Sequence, residues 1–234
     1  MSTRYGDYYR KLEPLKYLLV EAGSLLSEKN AKRLSSFASY LQTGRWIKAK
    51  GFSTTNRVWE RVELLEQVAS KVAQRQVLYL DFGVAHGRST RVWSLLLKHP
   101  GTRLHGFDTF EGLPPGGATD WPAGAYSQGG KTPEIADPRV SFFKGLFEET
   151  LPQYTVPAHD VLIVSIDCDL YSSTIFVLNT LAPFLKPGSY IYFDEFSDYH
   201  HELRAFDEFL SRTGRKCAMI GATKSYAQVV FQML

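Results

Sequence analysis

The sequence predicts an α/β protein: a Rossmann-like, doubly wound, mostly parallel sheet with an antiparallel C-terminal strand, preceded by N-terminal helices. Three observations support this prediction. Residues 12–74 carry apolar positions at helical spacing, residues 76–216 alternate short apolar strands with helices, and two strands end the chain with only a short turn between them. Helical connections favour parallel strand pairing, whereas a short turn permits only antiparallel pairing.

The first 75 residues are predicted to form a helical extension, and residues 76–234 the main domain. The segments LEPLKYLLVEAGSLLSEKNAKRLSSFASYLQ and NRVWERVELLEQVASKVAQ carry the helical pattern and predict two or three helices. Such helices either pack on the main domain or form a cap or dimer surface, because the periodicity is the same in each case. A homodimer is therefore one expectation.

Composition indicates a soluble protein of the cytoplasm. The chain has 234 residues, and its hydrophobic fraction of 44% is sufficient for a sizeable core. Basic and acidic residues nearly balance, at 27 and 24, so we expect no nucleic-acid partner. The two cysteines, Cys168 and Cys217, form no metal-binding or disulfide motif, and no apolar stretch suits a signal core or a membrane span.

Short apolar segments define the strands and helices of the main domain. Strands are predicted in VLYLDFG, RLHGFD, RVSFFKG, VLIVSID, SYIYFDE, KCAMIGA and YAQVVFQML, and helices in STRVWSLLLKH, FEETLPQY, HHELRAFDEFLSRTG and from about Ser172. One long connection, residues 109–138, holds six glycines, five prolines, Trp121 and Tyr126. We call it the cover loop. It follows a strand whose carboxyl end faces the ligand crevice, which favours a site cover over a disordered insert.

The first strand of the main domain leads into a glycine turn, YLDFGVAHGRST. Glycines permit a tight turn and close approach to a ligand, and the helix that follows offers unpaired N–H groups. The dinucleotide fingerprint G-x-G-x-x-G is absent. The acid before the turn suits a cationic amino group, such as that of S-adenosylmethionine. The predicted cofactor-binding residues here are Asp81, Gly83, Val84, Gly87, Ser89 and Thr90.

The next strand ends in Asp108, 27 residues after Asp81, with Thr109 beside it. An acid at this place accepts hydrogen bonds from both ribose hydroxyls of NAD or of S-adenosylmethionine. The alternative is a solvated aspartate in a turn. The acid before the glycine turn and the antiparallel pair of strands that ends the chain favour a methyltransferase over an NAD-dependent oxidoreductase.

Three acids follow two later strands that should be neighbours in the sheet. Asp167 ends VLIVSID, and Asp194 and Glu195 end SYIYFDE. Carboxylates that converge raise one another's pKa, and a divalent cation removes this conflict. Oxygen ligands favour Mg²⁺, Ca²⁺ or Mn²⁺ over zinc, so the sequence predicts a hard metal ion beside the cofactor.

Structural roles are the alternative for these acids. Asp169 is placed to cap the helix that follows it. Asp194 and Glu195 have Arg204 and Lys224 as possible ion-pair partners.

Several segments together resemble a known family. DFGVAHGRST, GFDTFEGLP, FFKGLFEETLP, SIDCDLYSST, LAPFLKPGSYIYFDEF and RAFDEF are similar to the macrocin/mycinamicin-type sugar O-methyltransferases, a class I S-adenosylmethionine-dependent family. The resemblance covers about residues 76–232 in the same order, whereas the N-terminal third matches only in being helical. It implies Mg²⁺-assisted methyl transfer to the hydroxyl of a small molecule, often a sugar.

The resemblance also implies roles for residues. Asp167, Asp194 and Glu195 would bind the metal, the turn at Gly83 would hold the methionine part of the cofactor, and Asp108 its ribose. The residues near the adenine would be Gly145, Leu146 and Phe147.

One departure from the family lies at the second acid motif. The family tends to carry two aspartates and a tyrosine where this chain has Asp194, Glu195 and Phe196. Because glutamate is longer than aspartate by one methylene, the metal site departs from that of the family, and a protein that binds S-adenosylmethionine without catalysis is one alternative. A phenolic, catechol-type O-methyltransferase is a further alternative, although such enzymes usually carry a lysine where this chain has Leu170.

Methyl transfer to a hydroxyl also requires a base. The candidates are His200, His201 and whichever of Asp167 and Asp169 the metal does not occupy. A surface helix start explains the histidines equally well. Cys168 lies between two acids, but strand alternation directs its side chain away from theirs, so we predict a core position.

Overall fold

The computed structural model contains an eight-stranded sheet with helices on both faces. It describes residues 3–52, 56–114 and 122–234, with side chains from residue 12 onward. The strands are β1 (Arg57–Val58), β2 (Val77–Phe82), β3 (Arg103–Asp108), β4 (Val140–Lys144), β5 (Val161–Ile166), β6 (Tyr190–Phe193), β7 (Cys217–Thr223) and β8 (Val229–Met233). The helices are α1 (Thr3–Ser24), α2 (Glu28–Ala49), α3 (Arg61–Val72), α4 (Arg88–Leu96), α5 (Phe147–Thr150), α6 (Tyr171–Leu181) and α7 (Glu202–Thr213).

The strand order is β1-β7-β8-β6-β5-β2-β3-β4. Strand β8 is antiparallel to both of its neighbours, and every other neighbouring pair is parallel. The predicted fold class is therefore confirmed, including the antiparallel C-terminal strand. All strands except β8 end at the same edge of the sheet, which we call the carboxyl edge. In sheets of this kind ligands bind at that edge.

Alternating side chains of the central strands form a core on each face of the sheet. In β2, Leu80 and Phe82 belong to one core and Tyr79 to the other, and all three are inaccessible to solvent. Helices α6 and α7 cover the first face, and α3 and α4 cover the second. Because both faces are covered, the central strands are apolar throughout except near their carboxyl ends.

Contacts between residues divide the chain into two compact units, residues 1–38 and 39–234. In the second unit, Trp46 and Ile47 of α2 are buried in the core of the sheet. The short strand β1, which was not predicted, pairs with β7 at Ala222 and Thr223. A strand of two residues carries no periodic signal. The division at residue 75 and the cap or dimer role of the helices stay predictions.

No helix in the described part of the chain combines the length and the apolar character that a membrane span requires.

Candidate active site

A cavity of about 450 Å³ lies at the carboxyl edge. It is lined by residues that follow β2, β3, β4, β5 and β6, together with part of the cover loop. One group of lining residues comes from predicted cofactor-binding positions: Gly83, Asp108, Thr109, Gly145, Leu146 and Phe147. A second group consists of four carboxylates, which we call the acid cluster: Asp167, Asp169, Asp194 and Glu195.

The turn after β2 requires glycine at position 83. Gly83 has a φ of +90°, and a Cβ atom there would lie 1.7 Å from the backbone oxygen of Asp167. Two strand ends therefore touch through their backbones, which no larger residue permits. The same turn directs the backbone N–H of Ala85 to Oδ2 of Asp108, at 2.8 Å.

The Asp108 carboxylate is fixed at the cavity wall by backbone donors. Besides the bond from Ala85, its Oδ1 accepts the N–H of Phe110 at 2.7 Å. Each carboxylate oxygen can accept more than one hydrogen bond, so this fixed group keeps capacity for donors from a ligand. The arrangement suits the predicted role of Asp108 as an acceptor for a pair of hydroxyls.

The acid before the turn, Asp81, does not line this cavity. Its side chain is buried between sheet and helix, where the hydroxyl of Thr90 donates to Oδ2 at 2.6 Å. Burial raises the pKa of Asp81 to about 6, although the bond from Thr90 opposes the shift. The cavity wall also lacks Val84, Gly87, Ser89 and Thr90. Cofactor contacts of these five residues stay predictions.

The acid cluster forms where the sequence predicted convergent carboxylates, because β5 and β6 are parallel neighbours. Burial, followed by the charges of Asp194 and Asp169, raises the pKa of Asp167 well above its usual value. Burial, the charge of Asp169 and a hydrogen bond with Asp169 raise the pKa of Glu195 to about 8. Burial and mutual repulsion therefore both oppose ionisation of these carboxyl groups.

Asp194 already has two hydrogen-bond donors on one oxygen. The Tyr192 hydroxyl lies 2.5 Å from its Oδ1, and Nη1 of Arg61 lies 3.3 Å from the same atom. Sequence reasoning named neither partner. Tyr192 precedes Asp194 by two residues and so faces the same side of the strand, a signal that was present in the sequence. Arg61 is 133 residues away and gave no such signal.

The ion-pair partners considered for these acids from the sequence are engaged elsewhere. The guanidinium of Arg204 stacks on the ring of Tyr171, at 4.3 Å from the ring centre. Lys224 lies 5.7 Å from the ring centre of Trp59. The alternative pairing with Arg204 or Lys224 is therefore wrong, and Arg61 takes the place proposed for them.

The acid cluster offers the hard oxygen donors that Mg²⁺, Mn²⁺ and Ca²⁺ prefer, so its chemistry fits a divalent cation. In the described parts of the chain, however, no group of three or more His, Cys, Asp or Glu side chains is arranged to hold a metal ion. The metal role of Asp167, Asp194 and Glu195 stays a prediction.

The two candidate histidines lie outside the cavity wall. His200 is exposed, and its backbone N–H donates to Asp198. His201 accepts the backbone N–H of Tyr171 on Nδ1, at 3.3 Å, and so supports the start of α6. Their role as bases stays a prediction without support from this geometry.

Two residues beside the first acids have the expected apolar surroundings. Cys168 is 5% exposed and belongs to the core of the face opposite Asp167, as predicted from strand alternation. Leu170, at the place where catechol-type enzymes usually carry lysine, is buried and lines the cavity. It is also the N-cap of α6, so Asp169 does not cap this helix.

The cover loop reaches the cavity through two of its segments. The backbone N–H of Leu113 donates to the oxygen of Ala125, and the N–H of Gly124 donates to the oxygen of Leu113. Gln128 and Gly130 donate to the backbone oxygen of Phe110. Gly112, Leu113, Pro114, Ala125 and Tyr126 line the cavity. This placement agrees with the predicted function as a cover, although sequence reasoning singled out only Tyr126 among these residues. Trp121 lies outside the described residues.

Tyr126 faces the acid cluster from the cover loop. Its φ is +63°, a backbone conformation that non-glycine residues rarely adopt. Burial and the charges of Asp169, Glu195 and Asp167 raise the pKa of its hydroxyl to about 12. The hydroxyl therefore stays protonated and can donate a hydrogen bond within the cavity.

Comparison with known families identifies the domain that this cavity belongs to. Residues 80–196, which are half of the chain, match the family described as "Methyltransferase domain". The chain belongs to the methyltransferase domain family. The matched range contains the glycine turn, Asp108 and the whole acid cluster, so the methyltransferase predicted from the sequence is confirmed at the level of the family.

One curated relative is named 8-demethyl-8-(2,3-dimethoxy-alpha-L-rhamnosyl)-tetracenomycin-C 4'-O-methyltransferase, from Streptomyces olivaceus. It is 35% identical over 63 residues, which are 27% of this chain and 23% of the relative. The match thus spans about a quarter of that relative's length.

Two solved structures share the fold of this methyltransferase domain. The O-methyltransferase NovP has a TM-score of 0.57 at 23% identity, covering 74% of this chain and 78% of its own. CalS11, described as a calicheamicin methyltransferase, has a TM-score of 0.53 at 23% identity, covering 73% and 76%. These likenesses confirm the Rossmann-like methyltransferase fold.

Proposed function

We propose that this protein is an S-adenosylmethionine-dependent O-methyltransferase that methylates a hydroxyl of a sugar or glycosylated metabolite, with a divalent cation as helper. One observation carries the proposal. A single cavity has the glycine turn and Asp108 on one wall and four carboxylates on another. A methyl donor and a hydroxyl acceptor can thus meet between the two walls.

The cofactor is proposed to lie along the ends of β2, β3 and β4. Gly83 permits close approach to the methionine part, and the fixed Asp108 carboxylate accepts hydrogen bonds from the ribose hydroxyls. Gly145, Leu146 and Phe147 line the same wall and suit the adenine, with Phe147 packed edge-on against Phe82. Family membership supports this methyl donor.

The cation is proposed to bind Asp167, Asp194 and Glu195. When bound, a divalent cation lowers the pKa of a coordinated hydroxyl and fixes its position. The raised pKa of Asp167 supports this role: burial and neighbouring carboxylates both disfavour its charged form, and a bound cation would stabilise that form.

In the reaction, the acceptor oxygen attacks the sulfonium methyl group. A new C–O bond forms, the S–CH₃ bond breaks, and its electron pair stays on sulfur, which leaves S-adenosylhomocysteine. The hydroxyl proton passes to a carboxylate oxygen of Asp169, which lines the cavity and has no assigned metal role. Alignment of oxygen and methyl in the cavity supplies much of the rate.

A sugar acceptor is favoured over a phenolic one by two observations. The curated relative carries a name that specifies methylation of a rhamnosyl compound. In this chain the buried Leu170 stands where catechol-type enzymes usually carry lysine. The cover loop, which contributes Tyr126 to the cavity, is proposed to select the acceptor.

The test is a methyl-transfer assay with labelled S-adenosylmethionine on nucleotide-linked sugars, glycosides and catechol, in Mg²⁺ and in EDTA. We expect product from a sugar substrate, and loss of at least 100-fold in rate with Asp194→Ala. Glu208→Ala, which removes an acid of α7 outside the cavity wall, is the matched control and should keep its rate. Product from catechol alone, or no product although the cofactor binds, would contradict the proposal.

A further inference from the structure

Arg61 connects the first turn of α3 to the acid cluster. Its Nη1 lies 3.3 Å from Oδ1 of Asp194, and 41% of the Arg61 side chain is exposed against 15% for Asp194. Among the described residues, no other Lys or Arg side chain lies within 4.0 Å of the four carboxylates. In the described part of the chain, Arg61 thus forms the one Lys or Arg ion pair of the acid cluster.

The charges around Arg61 show that it interacts with more than one acid. Burial lowers the pKa of Arg61, but Asp194, Tyr192 and Asp167 together outweigh it and raise that pKa overall. Asp167 therefore contributes to the stability of the charged guanidinium although it forms no ion pair with it. The guanidinium thus interacts with Asp194 and Asp167, two of the four carboxylates.

The two donors occupy only one oxygen of Asp194. Oδ1 receives both the Tyr192 hydroxyl and the guanidinium, whereas Oδ2 has no hydrogen-bond partner among the described residues. For a ligand that approaches Asp194 from the cavity, the carboxylate charge is therefore already partly neutralised at Oδ1 by Arg61 and Tyr192.

We propose that Arg61 is a built-in counter-cation of the acid cluster, which neutralises Asp194 in the cation-free protein and weakens the binding of a divalent cation by like-charge repulsion. The proposal rests on the cation role in the proposed function. The proposal is supported by the distance of 3.3 Å between Arg61 and Asp194, by their opposite charges, and by the interaction of Arg61 with Asp167. It assigns to a residue of the N-terminal segment the control of how tightly the site holds its cation.

Two consequences distinguish a counter-cation from a residue that only positions Asp194. Loss of the positive charge should tighten Mg²⁺ binding by about tenfold, because a like charge leaves the vicinity. It should also lower the thermal stability of the cation-free protein, because the carboxylates then repel one another without compensation. A residue that only positions Asp194 would produce weaker Mg²⁺ binding when it is lost.

The experiment compares full-length wild type with three variants. Arg61→Gln removes the charge, and Arg61→Lys keeps it. Lys224→Gln removes a charge near the same edge without contact to the acids, and serves as the matched control. Calorimetric titration with MgCl₂ gives the dissociation constants, and thermal unfolding in EDTA and in MgCl₂ gives the stabilities.

We expect about tenfold tighter Mg²⁺ binding in Arg61→Gln only, with a lower melting temperature in EDTA and a larger rise on adding Mg²⁺. Equal or weaker binding in Arg61→Gln, while wild type binds Mg²⁺, would overturn the counter-cation and leave the proposed function intact. If none of the proteins binds Mg²⁺ although S-adenosylhomocysteine binds, the cation role itself fails, and the inference falls with it.

Discussion

Two aspartates near the carboxyl ends of neighbouring strands have contrasting environments in this protein. Asp81 of β2 is 1% exposed, takes a hydrogen bond from Thr90 and lies away from the cavity. Asp167, which follows β5, lines the cavity beside three further carboxylates. In the sequence both look alike, as acids at the end of an apolar strand.

Strand register explains the difference. Asp81 pairs with Ser165 of β5, so Asp167 lies two residues further along, or about 7 Å at the usual rise of a strand. At the level of Asp81 both faces of the sheet are covered by helices, whereas at the level of Asp167 the backbone has left the sheet. Asp167 therefore reaches the cavity because it lies past the last covered position of its strand, which Asp81 does not.

The largest effect is expected from a substitution at the backbone contact between Gly83 and Asp167, where the ends of β2 and β5 meet. Gly83→Ala would place Cβ 1.7 Å from the backbone oxygen of Asp167, at a φ of +90°. We expect a loss of more than about 3 kcal/mol in the free energy of unfolding, together with loss of cofactor binding. Urea unfolding followed by circular dichroism measures it.

The matched control for that variant is Gly188→Ala. Gly188 also has a positive φ of +90°, but nothing lies within 4 Å of the Cβ that would be added. The difference between the two variants isolates the clash from the backbone strain. Equal losses in both would show that the contact with Asp167 contributes nothing.

Removal of the site carboxylate should separate activity from stability. We expect Asp167→Asn to lower the rate of methyl transfer by about 100-fold or more. Its melting temperature should equal or exceed that of wild type, because burial and neighbouring charges already oppose ionisation of Asp167. Steady-state kinetics and thermal unfolding test this, and a destabilised variant with full activity would refute it.

Asp81, the buried member of the compared pair, should make the free energy of unfolding depend on pH. Its pKa is about 6 in the folded protein and near 3.8 when unfolded, so the folded state holds its proton more tightly. Its effect on stability is thus most favourable below pH 4 and is lost as the pH rises through 6. Asp81→Asn removes this dependence.

The size of this pH effect follows from the same two pKa values. Relative to Asp81→Asn, wild type should lose about 2.4 kcal/mol of unfolding free energy between pH 4 and pH 7, since one pKa unit is worth about 1.4 kcal/mol and part of the effect is already lost at pH 4. Urea unfolding at several pH values measures the difference. Parallel pH profiles of the two proteins would contradict the assignment of this pKa to Asp81.

The smallest effect is expected outside the cavity. His200→Ala should change the rate of methyl transfer by less than about twofold, because the side chain is exposed and absent from the cavity wall. Since an essential base contributes at least about 100-fold, a loss of that size would restore His200 as the base in place of Asp169.

Much of the fold and part of the site could be predicted from the sequence. Alternating strands and helices fixed the sheet, and the order of the strands brought Asp167 and Asp194 together. The position of Cys168 followed from strand alternation alone. These features depend on local periodicity and on chain order, both of which a single sequence displays.

Other features depend on contacts between distant segments, which no local pattern reveals. The pairing of Arg61 with Asp194 joins residues 133 positions apart, and β1 becomes a strand only because β7 offers an open edge. The burial of Asp81 required the register of two strands. The lining residues of the cover loop depend on pairing within an irregular segment.

The most direct test of the account is calorimetric titration of S-adenosylhomocysteine into wild type, Asp108→Asn and Asp81→Asn. Asp108 lines the cavity, whereas Asp81 does not. We therefore expect wild type and Asp81→Asn to bind with similar affinity, and Asp108→Asn to bind at least about tenfold more weakly, as for a lost hydrogen bond to a charged group. Weaker binding in Asp81→Asn alone, or no binding by wild type, would contradict it.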